Sequence, residues 1–161
     1  MQDLGTLGGP DAMAVGINES GQIIGASYTS LTRSQYCGEK LELPLATGAY
    51  LWQNGQMQDL GNFGSTCTFA SYINNHGQVV GLSTLAGDLA QHAFLWQNGV
   101  MQDLGTFGGD MSSAIKVSDT GDAVGYATFP GNEILHALSG ARDNLQTLGR
   151  LAMTSSAQPS T

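Results

Sequence analysis

Positive charge is scarce in this chain: 5 Lys or Arg stand against 13 Asp or Glu among 161 residues, and charged residues make up only 11%. A protein that tracks a phosphate backbone needs clustered Lys and Arg. An anionic membrane surface attracts the same groups. The net charge of −8 therefore argues against nucleic acid and membrane-surface partners. Long apolar runs are missing too, and none approaches the roughly 18 residues of a membrane span, so no membrane insertion is expected. No secretory leader is visible. That absence carries little weight, because Met1 is the counterpart of Met57 and Met101 and the chain opens inside a repeat motif. An internal methionine start and a fragment of a longer chain are both open. Catalytic signatures are missing as well: there is no Gly-x-Ser-x-Gly elbow, phosphate-binding Walker loop or dinucleotide fingerprint. No cofactor and no catalytic residue is assigned.

What is present is glycine, 23 residues of it, and an internal repeat. Met-Gln-Asp-Leu-Gly occurs at Met1–Gly5, Met57–Gly61 and Met101–Gly105. Met57 and Met101 stand 44 positions apart, as do Asn74 and Ser118, and Ala49, Ala93 and Ala137 keep the same step. Met1 to Met57 and Asn18 to Asn74 are 56, so the first unit carries 12 extra residues. They fall between Gly25 and Gly48 and include Arg33, Cys37, Glu39 and Lys40. The units run over about 1–56, 57–100 and 101–144, with a remnant at 145–149. The polar tail 150–161 lacks the repeat and is expected to be disordered.

Each unit reads as four short strands. In the second they are expected near Phe69–Ile73, Gln78–Ser83, His92–Trp96 and Val100–Leu104, with Met1–Leu4 as an orphan fourth strand ahead of the first unit. Asn75-His76-Gly77 is a tight turn. Asn54-Gly55 and Asn98-Gly99 are hairpin signals, because both central residues of that turn need positive φ. Glycine interrupts every window long enough for a helix, and apolar spacing follows no 3.6 period. Ala93-Phe94-Leu95-Trp96 is apolar on both faces, as in a strand buried on both sides. Gly25, Gly81 and Gly125 lie inside second strands, where a neighbouring sheet is expected to approach closely. Small four-stranded sheets, each covered by the next, satisfy these features. A repeat of roughly 40–50 residues is usual for a β-propeller blade. The expected fold is all-β, a partial propeller of about three blades plus one N-terminal strand.

His92–Trp96, Met101–Gly109 and Ile73–Gly81, with the first copy at Met1–Gly9 and Ile17–Gly25, resemble the repeat of bacterial HAF-repeat proteins. In that family His-Ala-Phe-Leu-Trp precedes Gly-x-Met-x-Asp-Leu-Gly-Thr-Leu-Gly-Gly and Ile-Asn-x-x-Gly-Gln-x-x-Gly. The resemblance covers the chain to about Gly149. It implies an extracellular or cell-surface bacterial protein, propeller-like, and brings almost no biochemistry. The third unit departs most, with Val117-Ser118-Asp119 for Ile-Asn and Ser139-Gly140 for Leu-Trp. Closed propellers have 4–8 blades, so three units call for further blades or for a homodimer that completes a ring.

In such a meander, links from second to third strand share one end with links from a fourth strand to the next first strand. That end carries the longer, variable segments, where binding residues concentrate. Asp11, Thr66, Asp88, His92, Asp110 and His136 are its candidates for contact with a glycan or protein. Cys37 and Cys67 fall on the same end. A disulfide pinning the insertion and two unrelated thiols are both open.

Sharper readings fail on comparison between copies. Asp119-Thr120-Gly121 matches the aspartic-protease triplet, but its counterparts are Glu19-Ser20-Gly21 and Asn75-His76-Gly77. Gly108-Gly109-Asp110 hints at a calcium turn, and the second copy, Gly64-Ser65-Thr66, loses the acid. His92 and His136 invite a metal, yet the first copy has Gly48 there, so no metal site is assigned. Asp3, Asp59 and Asp103 recur, which favours a turn hydrogen bond over an active site. Trp52 and Trp96 read as core. The leading expectation is a non-catalytic interaction scaffold. The alternative is a polysaccharide hydrolase or lyase, with Asp11 and Asp110 as its carboxylates.

Overall fold

The computed structural model describes residues 1–34, 37, 45–132, 135–141 and 144–147. The expectations for Glu39, Lys40 and the tail 150–161 lie outside them. The elements are strands: β1 (Ala12–Ile17), β2 (Ile23–Arg33), β3 (Leu45–Gln53), β4 (Gln56–Asp59), β5 (Thr68–Ile73), β6 (Val79–Thr84), β7 (Gln91–Gln97), β8 (Val100–Gly105), β9 (Ser112–Val117), β10 (Ala123–Thr128), β11 (Leu135–Ala141) and β12 (Asn144–Thr147). They form three antiparallel meanders, β1–β4, β5–β8 and β9–β12, each with its strands in sequence order. Repeat motif and sheet are out of phase. Met57 opens a repeat unit but pairs with Trp52 at the end of the first sheet, because the Asn54-Gly55 turn ties β4 to β3.

Local chemistry sets the hairpins. Asn54 and Asn98 have φ of 52°, and Gly55 and Gly99 have φ of 82°, the left-handed pair that a two-residue turn on right-twisted strands requires. Gly25, Gly81 and Gly125 are explained differently from the expectation. What crowds them is the first strand of their own sheet: a Cβ would lie 2.0 Å from the Met13 carbonyl oxygen, 1.9 Å from that of Phe69 and 1.9 Å from that of Ser113. Each glycine faces a bulge, where Val15, Ser71 and Ile115 are skipped in the register. The extra residue pushes a carbonyl toward the partner strand. Met1–Leu4 is not a strand. Its counterparts β4 and β8 each pair with the third strand of their own sheet, and Met1–Leu4 has no such strand as a partner among the described residues. The insertion also differs from a simple loop. It lengthens β2 to 11 residues, with Arg33 opposite Leu45.

The sheets stack face to face. Ile24, Ala49 and Leu51 of the first meet Ala70, Ile73, Val79, Phe94 and Trp96 of the second. Val80, Ala93 and Leu95 on its other face meet Ala114, Val117 and Ala123 of the third. Alternate residues of β7 thus face opposite neighbours, which is why Ala93–Trp96 carries no polar residue. Each junction runs through the first strand of the later sheet.

Hydrogen bonds fix the register of that stack. The side-chain amide of Asn18 donates to the Asn74 carbonyl (3.0 Å), and that of Asn74 donates to the Ser118 carbonyl (2.8 Å). The amide oxygen of Asn74 meanwhile accepts from the N–H groups of His76 and Gln78 inside its own turn. One buried side chain therefore closes a turn and reaches the next sheet. Serine accepts but cannot reach on: the Ser118 hydroxyl takes the Asp122 N–H and pairs with the Thr120 hydroxyl, both inside its own turn. Replacing Asn74 by Ser should keep the turn and lose the inter-sheet bond, costing about 1–2 kcal/mol, while Asn74→Ala should cost about 2–4 kcal/mol. Urea unfolding of the two variants measures both, and a Ser variant as stable as the parent would show that the amide contributes nothing across the junction.

Candidate functional site

The loop-rich end is held by contacts between the two kinds of link that meet there. Thr47 N–H donates to the Thr66 carbonyl, and Gln91 N–H donates to the Asp110 carbonyl, both at 2.9 Å. At each place a third strand starts against the link that enters the next sheet.

Three of the residues expected to bind are engaged in latches on this end. Asp88, with φ of 54°, accepts from the Thr66 N–H (3.1 Å) and from the Thr84 hydroxyl (2.7 Å), and the Thr66 hydroxyl donates to its other oxygen. In the third sheet Asn132, with φ of 56°, fills the same position. Its amide oxygen accepts from the Asp110 N–H (2.7 Å) and the Thr128 hydroxyl (2.9 Å), and its amide nitrogen donates to the Asp110 carboxylate (2.7 Å). Thr66 and Asp88 correspond to Asp110 and Asn132 at the 44-residue step, so donor and acceptor trade sides between the copies. Asn132 was missed from sequence. The signal was there in Gly87-Asp88 and Gly131-Asn132, a glycine followed by a residue that tolerates positive φ.

Asp11 does not belong with Asp110. Its carbonyl accepts from Tyr28 N–H just as those of Cys67 and Met111 accept from Thr84 and Thr128. Asp11 is thus in register with Cys67 and Met111, and Pro10 holds the place of Asp110. Its side chain is exposed and lines a mainly apolar cavity of about 200 Å3 beside Met13, Tyr28 and Phe69.

His92 is paired. Its Nδ1 lies 2.9 Å from both Asp103 carboxylate oxygens. With the carboxylate ionised, Nδ1 carries the proton and donates. Asp103 also accepts from Gly105 N–H (2.6 Å), as Asp3 does from Gly5 (2.9 Å) and Asp59 from Gly61 (2.8 Å). The recurrent aspartate therefore closes a turn in all three copies. Partial burial pushes the Asp103 carboxyl upward, but the bonds from His92 and Gly105 and the nearby His92 charge hold it below the usual carboxylate range. His136 pairs through its backbone with Ala127, and its side chain lies outside the described residues. Among the described residues, no group of three or more His, Cys, Asp or Glu is placed to hold a metal ion.

The first sheet differs because Gly48 stands where His92 stands in the second. A Cβ at Gly48 would lie 2.9 Å from Thr29 Cγ2 and 3.2 Å from Leu7 Cδ1, so those side chains take the space of a histidine. Asp59, the counterpart of Asp103, has no imidazole beside it. It lines a polar groove of about 230 Å3 with Thr29, Ser30, Thr32, Asn62 and Ser65 among its walls. Beside it a disulfide joins Cys37 of the insertion to Cys67 at the entry to the second sheet, with Cα atoms 5.8 Å apart and both residues fully buried.

Compared with protein-family models, with curated proteins and with solved structures, the chain matches none.

Two outcomes follow. The disulfide closes a separation of 30 residues, so reduction, or Cys37→Ser with Cys67→Ser, should lower unfolding free energy by about 3–4 kcal/mol on loop entropy. Denaturation with and without reductant reads this. Burial pushes the Asp88 carboxyl up, but the Thr66 and Thr84 bonds outweigh it and lower its pKa. A depressed folded pKa stabilises above the ordinary aspartate pKa, and that stability is lost as pH falls through the folded value. Asp88→Asn, which copies Asn132, should flatten stability against pH in that acid window at little cost near neutrality, whereas Asp88→Ala should destabilise at both. An unchanged acid slope in the Asn variant would mean that Asp88 is not linked to folding.

Proposed function

We propose that the chain is a non-catalytic scaffold that binds a neutral glycan in the groove beside Asp59. Its three sheets would be arranged radially, as blades of a partial propeller. The groove is the observation that carries this reading. Its hydroxyl, amide and carboxylate groups offer both donors and acceptors at short spacing, which suits a polyhydroxylated ligand. At about 230 Å3 it is smaller than the roughly 300–1,000 Å3 sites that enclose drug-sized molecules, so it fits one residue of a longer chain. The net charge of −8 favours neutral over anionic glycans. A hydrolase of the common kind needs two carboxylates flanking the bond, and among the described residues the groove lining supplies one, Asp59. The radial arrangement is supported by the contacts of β1 with β5 and of β5 with β9, which bring successive first strands together. An extracellular or cell-surface setting is supported by the HAF-repeat resemblance and by the disulfide, which persists in oxidising compartments.

The test is titration against a panel of neutral and anionic polysaccharides, with reducing ends assayed in parallel. Thr32→Arg lays a long side chain across the groove and should weaken binding about tenfold or more without moving the unfolding transition. Absence of binding to every neutral polysaccharide would remove the reading, and release of reducing ends would replace it with hydrolysis.

A further inference from the structure

The two junctions inside the molecule define what a later sheet offers to an earlier one, and the first sheet offers the same things with nothing on them. Ile73 and Val117, at the ends of β5 and β9, are each 4% exposed, while Ile17 at the same place in β1 is 67% exposed. Ala14 is exposed where Ala70 and Ala114 are buried. The polar half repeats the contrast. The carbonyls of Asn74 and Ser118 each take an amide from the preceding sheet, and no side chain among the described residues donates to the Asn18 carbonyl. The side chains of Asn75 and Asp119 accept the N–H groups of Glu19 and Asn75, and Glu19 itself, at their position, is exposed. Gln22 lies against Gly77 and Gln78 against Gly121, at 3.1 and 3.2 Å from where a Cβ would be, while Gly21 has nothing within 4 Å.

We propose that the β1 face is a docking surface for one more four-stranded sheet of this repeat, one that presents an Asn-x-x-Gly-Gln turn. This goes beyond the glycan reading and does not depend on it. The occupant is specified group by group. An Asn amide meets the Asn18 carbonyl, the next backbone N–H meets the Glu19 carboxylate, a Gln side chain covers Gly21, and a branched aliphatic and a Leu, as in Val80 and Leu95, cover Ala14 and Ile17.

The third sheet of a second copy does not meet that specification. It offers Val124, 41% exposed, in the place of Val80. Ser118 stands for the Asn and has no amide, Asp122 for the Gln, and Ser139 for the Leu. Asp122 would also place a carboxylate over Gly21, two residues along the chain from the exposed Glu19 carboxylate, an unfavourable like-charge approach. The two ends of the stack are therefore mismatched, which favours further blades over a homodimeric ring, the two completions that blade counting left open.

Light scattering tests this directly. The chain should remain monomeric as its concentration is raised. The triple variant Ser118→Asn, Asp122→Gln, Ser139→Leu rebuilds the matching face and should self-associate head to tail. A triple variant that keeps the circular dichroism and unfolding transition of the parent yet stays monomeric would overturn the proposal. So would a parent chain that dimerises with protection of the Ala12–Ile17 amides, since the occupant would then be a second copy. Should the triple variant not fold, a chain with an added copy of residues 57–100 ahead of Met1 decides the matter. Amide exchange at Ala14 and Ile17 should slow tenfold or more and Met1–Asp3 should become a strand; unchanged exchange overturns the proposal.

Discussion

A sheet that is apolar on both faces cannot stand alone in water. Ala93–Trp96 illustrates this: its four residues are at most 5% exposed, because the neighbours on each side remove them from solvent. Apolar burial drives the stacking but has no direction of its own, so two flat faces of small and branched side chains can meet in more than one register. Asn18 and Asn74 supply the direction. Each closes its own turn through the amide oxygen and reaches the next sheet through the amide nitrogen. Local turn geometry and global stacking are thereby set by the same side chains, a consistency between levels that favours one native state over many.

The opposite end of the sheets uses different means for the same purpose. Asp88 with Thr66 and Asn132 with Asp110 each tie a link inside one sheet to the link that enters that same sheet, and the Cys37–Cys67 disulfide ties the insertion inside the first sheet to the link that enters the second. Recurrent polar groups on this end are thus drawn into structure. What is left for a ligand comes from differences between copies. Gly48 in place of a histidine, beside the packed side chains of Thr29 and Leu7, leaves Asp59 at the wall of a groove, whereas its counterpart Asp103 is paired with His92.

Much of this was legible in the residues, for reasons that are local. Asn-Gly at a hairpin needs positive φ at both positions, and a strand without polar residues needs two covering faces, so turns and strands fell close to where the pattern put them. Other features were legible as recurrences without their cause. Gly25, Gly81 and Gly125 mark a close approach, but the approaching atom is a bulge carbonyl of the same sheet, and a bulge leaves no fixed residue type behind it. Met1–Leu4 has the sequence of a fourth strand and is not one, because a strand exists only when its partner does. Asp110 looked like a binding residue and is the partner of Asn132, a pairing across 22 positions that no spacing rule predicts.

By itself, the sequence determined the unit: its length, its four strands, its turns, and the demand that both faces be covered. These follow from side-chain periodicity and from backbone preferences of Gly and Asn, which act within a few residues. Only the tertiary structure decided which groups the units present to one another, that the turn Asn spans two sheets, that Asp11 and Asp110 are out of register, and that the first sheet keeps an unused acceptor face. Those outcomes depend on bulges, on an insertion, and on contacts between segments 44 or 56 residues apart, where the position of each group is set by packing and not by its neighbours in the chain.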